Sequence, residues 1–140
     1  MSFKQIFTLK DNLRQEDIFL YGMLPQFLSR FDNAIVLEDL SAVELRTIFM
    51  EPENSLFKTS QRFFKRFNVQ LSITDKAQRL IAGQAAENAR VGARALKDVY
   101  GRVIKRFEFD PHSSVEVKKY GNNYELTIDE NIVKGALDIR

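Results

Sequence analysis

Cysteine and tryptophan are absent from the 140 residues, and His112 is the only histidine. Without thiols the chain has no disulfide, no thiolate nucleophile and no cysteine metal cluster, and a single imidazole argues against a zinc site. The same lack suits a reducing compartment, so a cytoplasmic location is expected. No apolar run approaches the ~20 residues that span a bilayer, and the first residues lack the order of a secretory signal, so no membrane association is expected. A dominant charge is missing too: 21 basic and 19 acidic side chains leave a formal +2, too balanced to imply a polyanion, and no nucleic-acid partner is expected. There is no G-x-x-x-x-G-K-S/T run, no acidic box after an apolar strand, no G-x-S-x-G elbow and no H-E-x-x-H pair. Autonomous nucleotide hydrolysis and the common hydrolase chemistries therefore have no foothold, and no metal site is assigned.

What is present is apolar material for a core: 44% hydrophobic residues, with 12 Phe among the aromatics. That composition fits one domain, or a small domain carrying a fragment of another. Each of the three prolines reads as an element boundary. Pro25 suits a first helical turn, Pro52 ends one helix and can begin the next, and Pro111 stops a long one. Ser41 stands three residues before Glu44, the capping-box spacing, and Val43, Leu45, Ile48 and Phe49 are expected to supply the buried surface of the helix that follows. A second helix carries Leu56, Phe57, Phe63, Phe64 and Phe67. Residues 69–73 alternate with period two, which predicts a strand. Thr74 then caps a helix whose apolar stripe is Ala77, Leu80, Ile81 and Ala85. Gly83 in that helix either weakens it or permits a close contact. After Gly92, Leu96, Val99, Tyr100, Val103, Ile104 and Phe107 recur at helical spacing. Residues 115–119 and 124–128 alternate around Tyr120-Gly-Asn-Asn123 and predict a hairpin. A helical turn from Asp129 closes the chain, with brief pairing of residues 136–139 as the alternative. The expected class is α+β, mainly helical, with a short antiparallel sheet.

Several charged residues have two readings. Lys58, Arg62, Lys65 and Arg66 read first as the solvated side of an amphipathic helix, and Arg102, Lys105 and Arg106 read likewise. His112 reads as a solvated loop residue. Arg30 and Arg94 are, taken singly, ordinary exposed arginines. Arg94 differs in one respect: if Gly92 separates two helices, its charge opposes the dipole of the second one at a cost of a few tenths of a kcal/mol unless an anion compensates. Phosphate matches the guanidinium donors best.

Three segments together resemble a known family. D17-I-F-L-Y-G-M-L-P-Q-F-L-S-R-F31, E51-P-E-N-S-L56 and V91-G-A-R-A-L96 are similar, in order and spacing, to the arginine-finger segment, the small-domain helix junction and the sensor-2 motif of AAA+ unfoldase ATPases of the ClpX-like group. The segments beginning at Val115 look like the end of that small domain. The resemblance implies that residues 1–38 are the last part of a large ATPase domain and residues 39–140 the C-terminal small, or lid, domain. It implies that Arg30 reaches the γ-phosphate held by a neighbouring subunit, that Arg94 reaches nucleotide in its own subunit, and that Gly92 and Ala93 shape the approach. ATP or ADP with Mg would be the cofactor of the full-length protein, with none held tightly by this piece alone. Partners would be neighbouring subunits of a hexameric ring, protein substrates and a peptidase. The family's glutamate after the proline is Gln26 here, and the glycine before the finger arginine is Ser29, both departures from its pattern. The resemblance further implies that residues 35–37 form a strand of the large domain's sheet. Two other readings stand beside this one: a free-standing adaptor or protein-binding module derived from such a lid, and a nucleic-acid-binding protein using the basic helices.

Overall fold

The computed structural model describes residues 17, 20–22, 24, 39–88 and 91–140. The chain divides between Glu38 and Asp39, and the fold below is that of the second unit. Arg30 and the strand expected at residues 35–37 lie outside the described residues.

Helix α1 (Ala42–Met50) begins at the Ser41–Glu44 capping box. Ser41 N–H donates to Glu44 Oε2 at 2.8 Å, and Glu44 N–H donates back to Ser41 Oγ at 3.3 Å, so two amides with no helical acceptor are satisfied. Ser55 Oγ caps α2 (Leu56–Lys65), Thr74 caps α3 (Asp75–Glu87) and Asp129 caps α5 (Glu130–Leu137). Between these helices run β1 (Val69–Ile73), α4 (Arg94–Phe109), β2 (Lys118–Tyr120) and β3 (Asn123–Ile128). The result is the expected α+β class, mainly helical.

The sheet is mixed. The hairpin pairs Lys118 with Glu125 in antiparallel register, as its alternation predicts, but β1 joins the other side of β3 in parallel, with Val69 opposite Tyr124 and Ile73 opposite Ile128. Period two sends Val69, Leu71, Leu126 and Ile128 to the helix-covered face, where all four are buried. Ser72 and Thr127 share the opposite face, their hydroxyls 2.9 Å apart.

The core joins every helix to the sheet. Phe49, Phe64, Phe107, Leu45, Ile81 and Leu96 are among its largest fully buried side chains. Two expected core members of α1 are not in it: Val43 is 76% exposed, and Ile48 lies toward solvent. The helix is apolar around much of its circumference, and only the side carrying Leu45 and Phe49 meets α3 and α4. Phe67 falls beyond the end of α2 and is half-exposed. Strand β2 is shorter than the alternation suggested, leaving Val115 in the loop before it. The terminal helix extends to Leu137 in place of pairing at residues 136–139.

Gly83 meets no heavy atom within 4 Å of where a Cβ would stand, so among the described residues no close contact requires it. Gly83→Ala is therefore expected to stabilise the chain by about 0.5–1 kcal/mol. A rise in thermal midpoint of a few degrees would show it, and a fall would mean that the added methyl meets something outside the described residues.

The bonds from Ser41 hold the Glu44 carboxyl below the ordinary carboxylate range. A depressed folded-state value stabilises the fold above the unfolded pKa, about 4.3, and that contribution disappears as pH falls through the lower folded value. Thermal midpoints measured from pH 6 down to pH 2 should fall less steeply for Glu44→Gln, which keeps an acceptor but cannot titrate here. Parallel curves would rule this coupling out.

Candidate functional site

The segment joining α3 to α4 places the residues singled out in the sequence side by side. Helix α3 ends at Asn88, whose N–H donates to Ala85 O at 3.1 Å and whose carbonyl accepts from Val91 N–H at 3.1 Å. Gly92 follows at φ +57°, in the left-handed region where a side chain costs roughly 1–2 kcal/mol and glycine does not. Its carbonyl accepts from Ala95 N–H at 3.1 Å, while Ala93, already helical in its dihedrals, starts α4 without a side-chain cap. Beyond Gly92 a new helix begins, and its first turn has no acidic residue.

Burial fixes that turn. Ala95, Leu96, Val99 and Tyr100 are 3% exposed or less, which holds the helix N-terminus rigidly and leaves Arg94 and Lys97 on its exposed side. Among the described residues Arg94 has no hydrogen bond and no ion pair. A positive dipole end and the exposed Arg94 and Lys97 lie here with no acidic residue in the first turn, the exposed Asp98 following one turn on. The arrangement is repulsive as it stands and suited to an anion such as phosphate, which would accept from the guanidinium and the open amides together. Lys97 was not singled out in the sequence; its place three residues after Arg94 in the first turn was the available signal.

The other candidates resolve differently. Arg30 is outside the described residues. Lys58 Nζ donates to Glu51 O at 2.6 Å and Arg62 to Glu53 O at 3.2 Å, so two cations of α2 secure the connector before it, as an amphipathic structural helix would use them. Arg106 pairs with Glu116 at 2.7 Å and lies over the Phe107 ring. His112, expected to be solvated, is exposed yet engaged: its Nε2 lies 2.8 Å from Phe67 O and its ring packs 4.4 Å from that of Tyr124. A cleft of about 980 Å³ borders Arg102, Arg106, Lys118, Glu116, Glu125 and Asp129 but not Arg94, and its charges balance. Among the described residues no group of three or more His, Asp or Glu could hold a metal ion, and no helix is long and apolar enough to cross a membrane.

No protein-family model matches the chain. Over 120 residues, 86% of its length, it is 30% identical to the ATP-dependent Clp protease ATP-binding subunit ClpX of Borrelia duttonii (strain Ly), and it matches the same subunit of Borrelia recurrentis (strain A1) to the same extent. The matched region is 28% of each relative's length. With its mainly helical α+β unit and small mixed sheet, the chain is homologous to the ClpX-family AAA+ ATPases, consistent with a small, lid-type domain of that kind.

Proposed function

We propose that residues 39–140 are the C-terminal lid of an ATP-driven protein unfoldase, preceded by the end of its large ATPase domain, and that Arg94 is the residue through which the lid senses nucleotide. The observation that carries this reading is the Arg94 guanidinium, unpartnered among the described residues, at the uncapped, anchored N-terminus of α4, two residues after the left-handed Gly92. A nucleotide phosphate would relieve the repulsion there, and its loss on hydrolysis would restore it. A change of charge would thereby alter the lid's preferred position and pull on a protein substrate. Arg30 would act across a subunit interface on the γ-phosphate of a neighbour, stabilising charge in phosphoryl transfer. The reading includes a hexameric ring of such subunits, with Mg-ATP held chiefly by the large domain and a peptidase as the receiver of unfolded chains.

The test uses the full-length polypeptide that contains this segment. ATP turnover and unfolding of a tagged substrate protein are measured for Arg94→Ala and Arg30→Ala. Loss of both activities is expected in each variant; wild-type unfolding in both would refute the roles given to these arginines.

A further inference from the structure

Among the described residues strand β1 forms one edge of the sheet. In a parallel ladder, alternate residues direct both main-chain groups to the neighbouring strand. Asn68 O accepts from Tyr124 N–H at 2.9 Å and Thr74 N–H donates to Ile128 O at 3.0 Å, so positions 68, 70, 72 and 74 face β3. Val69, Leu71 and Ile73 therefore turn their amides and carbonyls outward. Among the described residues only one of these groups is met: Gln61 Nε2 donates to Leu71 O at 3.0 Å. The strand also lacks the proline or charge that commonly guards an edge.

A cleft of about 470 Å³ opens beside this edge, and it is lined by the carboxamides of Gln61, Asn68, Gln70 and Asn123, by Lys65 and by no carboxylate. A carboxamide offers one acceptor and a pair of donors, the groups that match a peptide bond. Those of Asn68, Gln70 and Asn123 have no hydrogen-bond partner among the described residues, and Lys65 has no ion pair there. Lys119 adds a second cation nearby, its ammonium 5.9 Å from the centre of the Tyr124 ring.

We propose that this cleft binds an extended, acidic segment of a partner protein, which adds to the sheet beside β1 and places a carboxylate against Lys65. The added strand meets the outward groups of Val69 and Leu71, while the carboxamides bind its remaining main chain. Charge selects the acidic segment: Lys65 lines the cleft, Lys119 lies near its Tyr124 border, and no carboxylate lines it, Glu125 standing opposite Gln70 outside the lining. Neither nucleotide nor Arg94 takes part, so this site stands or falls separately from the function proposed above.

The test uses the isotope-labelled 140-residue chain without nucleotide and a capped peptide alternating Thr and Glu. Binding should slow exchange of the Val69 and Leu71 amides. N-methylating one alternate set of peptide amides should weaken binding about fivefold for each bond lost, while methylating the other set leaves it unchanged. Lys65→Glu should weaken binding by about fivefold, as should replacing the peptide's Glu by Gln. Equal loss from both methylated sets, equal tolerance of both, or unchanged Val69 and Leu71 amides at saturation would overturn strand addition. Undiminished affinity in Lys65→Glu would overturn the acidic preference, and absence of binding at millimolar peptide would overturn the site.

Discussion

Phe49→Ala is expected to lower the unfolding free energy of the chain by about 3–5 kcal/mol. The ring is fully buried, 6.0 Å from that of Phe57 and 4.9 Å, edge-on, from that of Tyr100. It ties α1 to α2 and α4. Because domains of this size are stable by only about 5–15 kcal/mol, the variant should lose about a fifth or more of its margin. Urea unfolding followed by circular dichroism measures this as a lower midpoint at an unchanged slope; a loss below ~1 kcal/mol would mean that the site collapses around the deletion. Tyr100→Phe, on the other side of the same contact, should behave oppositely. Among the described residues the Tyr100 hydroxyl is buried without a hydrogen bond, Ser60 approaching without completing one, and burial drives its pKa far above the ordinary phenol value. Removing an unsatisfied hydroxyl costs nothing that the fold was using, so equal or higher stability is expected.

The second large effect concerns Arg94. Under the proposed role, Arg94→Ala in the full-length protein should lower kcat/KM for ATP by about 10- to 100-fold, the size of one or two charge-assisted hydrogen bonds to phosphate. Arg94→Lys should fall between, since an ammonium keeps the charge but loses the two-pronged geometry. Because Arg94 is exposed and its charge opposes the α4 dipole, Arg94→Ala should leave the thermal midpoint of the 140-residue chain unchanged or slightly higher. That separation distinguishes a nucleotide ligand from a structural residue. Turnover within about twofold of the parent, with KM also unchanged, would remove Arg94 from the mechanism.

Local chemistry explains why so many elements were legible. The Ser41–Glu44 box and the Thr74 cap act over three residues, and each formed where its spacing placed it. The run from Leu96 to Phe107 has a single apolar side, so its burial could have only one outcome. Helix α1 offered more apolar surface than its neighbours could cover, and periodicity could not choose Leu45 and Phe49 over Val43 and Ile48. Strand alternation located β1 and the hairpin but carried no information on their mutual direction. The parallel pairing joins residues such as Ser72 and Thr127, 55 positions apart. His112 is exposed in a loop as read, but its bond to Phe67 O was out of reach for the same reason, since it spans 45 positions.

For the candidate site, the sequence alone determined the break at Gly92 and the cation at the start of the next helix, both from adjacent residues and their spacing; the phosphate ligand belongs to the proposed function. Tertiary structure decided that α4 is anchored by buried neighbours, that Arg94 and Lys97 share its open first turn, and that the outward edge of β1 borders a carboxamide-lined cleft. Caps, turns and dipoles are set by nearest neighbours along the chain. Which cation is left unpaired and which strand edge is left open depend on what distant segments cover, and only packing fixes that.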